Sequence, residues 1–226
     1  QNTKEPQVIP IAVGLLAQDG TELRGTTVLE MTQSAQSFHF EGLSEKPVPS
    51  ILRDFSAPVI LQRDQSREER AFLMAHDTDP FNKWDAGDAL AKDVLMRMVT
   101  QDAAPDSAYL DGIAAILRDD NLDPAFRALA VSLPSEDDMA QALFDAGNTP
   151  DPISIYRAIE ALRVATAQHV QDILPRIQAD MVVSGPYSPD AKSAGKRSLG
   201  NTVLGLVSRL DGGAAAATQY AQADNM

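Results

Sequence analysis

Cysteine is absent from the 226 residues of this chain, which excludes disulfide staples, thiolate zinc sites and thiol nucleophiles. The interior must then come from apolar burial, and 44% hydrophobic residues suffice for one large domain or two small ones. The missing thiols fit a reducing compartment, and a cytoplasmic location is the expectation. Basic residues are scarce too: 19 Lys and Arg face 32 Asp and Glu, and the formal charge of -13 repels phosphate backbones and anionic lipid surfaces. No nucleic acid and no membrane is expected as a partner. No apolar run approaches the roughly 20 residues that span a bilayer. The longest, residues 8–16, is broken by Pro10 and Gly14, and with Lys4 as the sole preceding basic residue it does not read as a signal peptide. The chain opens at Gln1 instead of methionine, as a processed or excised segment does.

What is present falls into two periods. Residues 1–64 read as strands. Residues 8–16 are rich in β-branched side chains, and Asp19-Gly20 directly after them suits a tight hairpin that returns from about Glu22. Residues 26–31 and 36–40 continue the pattern, with Phe38 and Phe40 on one face and His39 on the other. Pro47, Pro49 and Pro58 break the next stretch, and Val59-Ile60-Leu61 is a last strand-like run. Four or five strands are too few for a sandwich of about seven. The first strand is therefore expected on an open edge or paired with another copy, with self-association through residues 8–16 as a consequence.

From Ser66 the period is helical. Ser66 with Glu69 has the form of a capping box, and Asp79-Pro80, Asp123-Pro124 and Asp151-Pro152 each place a capping acid before a proline at the first helical position. Apolar residues follow at steps of three and four: Trp84, Leu90, Val94, Leu95 and Met98, then Tyr109, Ile113, Ile116 and Leu117, then Ile155, Ile159, Leu162 and Ala165. Short loops at 101–106, 132–135 and 146–150 make successive helices antiparallel neighbours, either as an armadillo-like stack or as a compact bundle. Asp211-Gly212-Gly213 ends one helix before another begins at Ala214. The fold class is α+β and mainly α: a partial Ig-like β-sandwich over 1–64, then the N-terminal part of an armadillo-like α-helical superhelix over 65–226.

Chemistry is harder to find. A metallopeptidase helix needs His-Glu-x-x-His, which sets two imidazoles on one face with a carboxylate beside the bound water. Here His39, His76 and His169 have no second histidine four residues away. They read as a solvated strand residue, a helix-end cation and a helix-surface residue. Glu68-Glu69, Asp119-Asp120 and Glu136-Asp137-Asp138 read as caps, since no calcium loop pattern accompanies them. Ser184-Gly185-Pro186 is a turn, not a nucleophile elbow, and Gly195-Lys196-Arg197-Ser198 lacks the upstream glycine of a phosphate loop. Lys192, Lys196 and Arg197 form a basic cluster read as a helix surface facing acidic neighbours. No catalytic, cofactor-binding or metal residue is assigned.

Several stretches resemble the region that follows the catalytic domain in bacterial-type aminopeptidase N, a zinc-dependent exopeptidase of the gluzincin class. They are residues 8–15 (VIPIAVGL), 55–59 (FSAPV), 72–77 (FLMAHD) with 79–86 (DPFNKWDA), 129–135 (LAVSLPS), 196–199 (KRSL) and the closing Asp224-Asn225-Met226. The resemblance implies a zinc domain first, then a small β-sandwich, then a helical superhelix enclosing the active-site chamber. It implies that the zinc ligands, the catalytic glutamate, the Gly-x-Met-Glu-Asn motif and the transition-state tyrosine have no counterpart here. The chain is then a non-catalytic scaffold segment of an enzyme that removes N-terminal residues from peptides. Its partner is the catalytic domain of the same polypeptide, zinc belongs to the parent, and peptide substrates meet only the full-length enzyme. The alternative is an independent helical-repeat adaptor that binds protein partners through a concave face.

Overall fold

The computed structural model describes residues 7–223; the closing Asp224-Asn225-Met226 lies outside them. The chain forms two compact units, Gln1–Gly87 and Asp88–Met226.

The first unit is built on β1 (Ile9–Leu16), β2 (Glu22–Met31) and β3 (Val48–Ile51). The Asp19-Gly20 turn closes as its composition requires. Gly20 takes φ 87°, its amide donates to the Ala17 carbonyl, and Asp19 Oδ1 accepts from the Thr21 amide at 2.9 Å. The sheet order is β2-β1-β3, with β1 antiparallel to both neighbours. This corrects the expectation of an open edge along the whole first strand: β1 lies between the other two, with β3 pairing residues 13–16 and leaving residues 9–12 without a strand partner on that side among the described residues. Its burial follows the pairing, since Ala12, Val13, Leu15 and Leu16 are all inside and both faces are covered from Ala12 on, whereas Pro10 is exposed.

The strand count also differs. Residues 36–40 alternate in exposure as read, with Phe38 and Phe40 half-buried and His39 exposed, yet they form no ladder. Gln36 instead closes the turn after β2, accepting from the Thr32 amide and donating to the Glu30 carbonyl. Residues 59–61 are not a strand either, and Ile60 is 91% exposed. The missed strand, β3, carries Pro49, which an edge strand tolerates because its outward positions need no amide donor.

Helices follow: α1 (Arg67–His76), α2 (Pro80–Gln101), α3 (Ser107–Arg118), α4 (Pro124–Val131), α5 (Glu136–Asp145), α6 (Pro152–His169), α7 (Leu174–Asp180), α8 (Ala191–Asp211) and α9 (Ala214–Gln222). The capping signals operate as the sequence implies. Ser66 and Glu69 form a capping box on α1, Asp123 caps α4 and Asp151 caps α6. A second box, Ser135 with Asp138, starts α5. In the second unit α8 is the central element, packing against α4, α6, α7 and α9. Gly195 permits the closest approach, because a Cβ there would stand 3.2 Å from the Ala125 amide nitrogen. Leu199 and Val203 of α8 are fully buried in the resulting core. Among the described residues no helix is long and apolar enough to cross a membrane.

Hydrogen bonds from the Ser135, Ser154 and Ser188 hydroxyls hold the capping carboxyls of Asp138, Asp151 and Asp190 below the usual aspartate range. A carboxyl that titrates lower in the fold than in the open chain contributes fully above its open-chain pKa, about 4, and loses that contribution as pH falls through the native value. The urea midpoint should therefore drop on acidification from about pH 5 to pH 3. The triple variant Asp138→Asn, Asp151→Asn, Asp190→Asn should show a smaller drop, and an equal drop would exclude the caps as its source.

Candidate functional site

The residues weighed above as chemical candidates are scattered. His39 lies in an exposed coil and His76 is the exposed last residue of α1, its ring 5.0 Å from Phe72. His169 ends α6, its Nε2 2.9 Å from Asp111 Oδ1. Among the described residues no group of three or more His, Asp or Glu side chains is arranged to hold a metal ion. The described side chains thus offer no ligand set for the zinc implied for the parent. Glu68 and Glu69 occupy the first turn of α1, and Glu136, Asp137 and Asp138 the first turn of α5. Asp119 is the C-cap of α3, whereas Asp120 pairs with Arg176 at 2.6 Å and Arg127 at 3.4 Å. Ser184 to Pro186 is irregular, and Gly195 to Ser198 lies inside α8.

The basic cluster meets carbonyls where acidic neighbours were expected. Lys196 donates to the Asp180 carbonyl at 2.9 Å, and Arg197 to the Ser188 carbonyl at 2.7 Å while stacking over the Tyr187 ring. The loop before α8 and the end of α7 turn their backbone toward the helix, which the spacing of the basic residues does not reveal.

The most organised polar site is one the composition does not advertise. Arg53 follows β3, and its side chain is 3% exposed. The guanidinium lies across Gly14 of β1: a Cβ there would fall 2.0 Å from Arg53 Cζ, so a larger residue would displace the guanidinium from its partners. The β1–β2 register shifts at this point, between Val13 and Leu15. Arg53 Nε donates to Ser50 Oγ at 2.9 Å. Nη1 donates to Glu22 Oε1 at 2.6 Å and Thr26 Oγ1 at 3.1 Å, and Nη2 to Asp77 Oδ1 at 3.3 Å. One side chain thereby joins β2, β3 and the turn between α1 and α2.

A second layer completes that turn. Asp77 Oδ1 also accepts from the Asp79 amide, and Asp79 accepts from the Asp54 and Asn82 amides. Asn82 Nδ2 donates to Ser50 Oγ and the Ile51 carbonyl. Lys83, buried, donates to the Met74 and Ala75 carbonyls at the end of α1. Ser56 Oγ accepts from the Ala12 amide at 2.9 Å. Leu52, Asp54 and Phe55 take φ of 63°, 54° and 51°. For non-glycine residues such backbone costs roughly 1–3 kcal/mol each and persists only where the surroundings over-determine it. The turn sets the exposed Phe55 ring edge-on against Phe81 at 5.3 Å.

Electrostatically the two carboxylates differ. The Thr78 hydroxyl and then Arg53 pull Glu22 down, whereas burial pushes Asp77 up against the pull of its amide and Arg53 partners. Asp77 Oδ2 is buried and has no hydrogen-bond partner among the described residues. With its donors engaged and its guanidinium shielded from solvent, Arg53 is placed to fix backbone, not to meet a substrate.

Comparison with known proteins gives a consistent picture. Residues 67–226 match a domain-of-unknown-function family, DUF3458_C, described as ARM repeats, and residues 1–64 match DUF3458, described as having an Ig-like fold. Aminopeptidase N of Caulobacter vibrioides is 40% identical over 194 residues, covering 84% of this chain and 22% of that protein. Aminopeptidase N of Escherichia coli is 34% identical over 216 residues, covering 90% of this chain and 24% of that protein. The chain thus spans less than a quarter of the length of these curated relatives. A crystal structure of Legionella pneumophila aminopeptidase A in complex with aspartic acid matches 98% of the chain and 26% of that protein, with a TM-score of 0.79 at 24% identity. At that identity the likeness speaks for the fold.

Removing Arg53 alone should be worse than removing it with its buried partner. Arg53→Met leaves the Asp77 carboxylate buried without its cation and should cost about 3–5 kcal/mol by urea unfolding. The double variant Arg53→Met, Asp77→Asn should recover part of that loss. Strictly additive costs would mean the two groups are not coupled.

Proposed function

The chain belongs to the DUF3458_C family of ARM-repeat domains, and from that membership we propose that it is a non-catalytic scaffold segment of a zinc-dependent aminopeptidase. In this reading residues 1–64 contribute to a β-sandwich and residues 65–226 form the N-terminal part of a superhelical domain. The segment helps enclose the active-site chamber of the parent. Its partner is the catalytic domain of the same polypeptide, and its location is cytoplasmic. Zinc, the catalytic glutamate and the groups that hold a substrate's amino terminus reside in that domain. A helical wall beside such a chamber would act by restricting entry to short peptides with free amino termini and by positioning them, so binding energy serves orientation.

The observation that carries this reading is where three of the motif stretches meet. Gly14, Ser56 and the run Asp77, Asp79, Asn82 and Lys83 all converge on the joint around Arg53, where they hold backbone away from solvent. Catalytic residues sit in clefts with an accessible reacting atom. Here the motif stretches make a fixed turn, which supports an architectural task. The relatives named aminopeptidase N extend well beyond the matched region, which leaves room in a parent for the catalytic part.

The experiment is an assay with an alanine chromogenic amide on three preparations: the pure 226-residue chain, the remainder of a parent polypeptide produced separately, and the two mixed. The chain alone should give no turnover. Mixing should change the rate or the peptide-length preference of the remainder. Chelator-sensitive turnover by the chain, or a remainder indifferent to its addition, would overturn the proposal.

A further inference from the structure

The second unit carries a groove of about 370 Å³ between the end of α4, the middle of α6 and the C-terminal half of α8. That size lies at the lower end for small-molecule sites, which run roughly 300–1,000 Å³. Arg163 of α6 and Arg209 of α8 line it, together with the hydroxyl residues Ser132 and Thr202 and the apolar Val131 and Leu206. Both guanidiniums converge on a single carboxylate oxygen: Arg163 Nη1 lies 2.6 Å and Arg209 Nη2 2.9 Å from Glu160 Oε1. Two cations against one anion leave a local excess of positive charge in a chain whose formal charge is -13. The two arginines hold the Glu160 carboxyl below the usual glutamate range.

Arg209 is also under-used. It donates to the Gly205 carbonyl and to Glu160, but its Nε is buried with no hydrogen-bond partner among the described residues. That buried Nε faces away from solvent, but each Nη carries a second hydrogen beyond the bonds to Gly205 and Glu160. A planar guanidinium suits a carboxylate, which accepts two parallel N–H bonds.

We propose that this groove is a binding site for a small carboxylate with a short apolar tail, seated with its oxygens on Arg209 and Arg163 and its tail against Val131 and Leu206. Such a group is supplied either by a free short-chain acid or by the carboxyl end of a peptide. Glu160 acts as the internal competitor that holds the two guanidiniums together until the ligand arrives. The site is separate from the Arg53 joint, and its occupation does not depend on the chain being part of a peptidase.

The test is NMR on the 226-residue chain, reading the arginine Nε–Hε resonances during titration with isobutyrate, with N-acetyl-valine and with the amides of both. Each acid should shift the Arg209 resonance saturably and each amide should not. Isobutyrate binding tighter than N-acetyl-valine identifies the free acid as the natural form, and the reverse order identifies a peptide end. Arg163→Gln should weaken binding about tenfold, as loss of one charged hydrogen bond does. Glu160→Gln, which removes the competitor, should tighten it. The opposite signs of these variants separate loss of the site from loss of the fold. No saturable shift, equal shifts by acids and amides, or weaker binding in both variants would overturn the proposal.

Discussion

A guanidinium that is 3% exposed constrains everything around it. Taking an arginine out of water costs several kcal/mol unless its donors are met, and here they are met by Ser50, Glu22, Thr26 and Asp77, drawn from β3, β2 and the turn after α1. The requirement propagates. Glycine at position 14 lets the side chain pass, the strand register shifts beside it, and Leu52, Asp54 and Phe55 take left-handed backbone in the turn whose Asp54 amide reaches Asp79. A three-stranded sheet is marginal by itself, and this polar joint compensates by tying the sheet to the helices that follow it in sequence.

The second unit follows a different principle. Its organising feature is one helix, α8, which touches four others through a buried stripe of Leu199, Val203 and Leu206 and approaches α4 through Gly195. Its polar groups sit mostly at helix ends, where Asp123, Ser135, Asp151 and Asp190 satisfy first-turn amides. Ion pairs such as Arg118–Asp172 and Arg127–Asp120–Arg176 add links between the helices, and the Arg163–Glu160–Arg209 cluster differs from them in that both its arginines line a groove.

Legibility in the sequence tracked the range of the interactions. Capping boxes and Asp-Pro starts are local, so Ser66, Asp123 and Asp151 announce their helices within a few residues. The Asp19-Gly20 turn was equally visible. Strand pairing is not local: alternation at Phe38 and Phe40 predicted a face without a partner, while Pro49 hid an edge strand. Arg53 was invisible for the same reason. It stands alone among apolar and turn residues, and its partners lie 3 to 31 positions away. The available clue was indirect, in the polar residues Asp77, Asp79 and Asn82 packed into one motif-like stretch whose demand for buried donors had to be answered from elsewhere. At Lys196 and Arg197 charge alone suggested acidic partners, whereas the actual acceptors are main-chain carbonyls.

Native-state hydrogen exchange of the chain tests the central role of the joint most directly. The amides of Asp54, Asp79 and Asn82 donate into the joint and belong to a turn region that would otherwise fray. If the joint fixes the first unit, these amides exchange slowly and open together with those of Val13 and Leu15 in β1. If they exchange at the rate of exposed loops while β1 stays protected, the sheet stands without the arginine, and the account given for this unit is wrong.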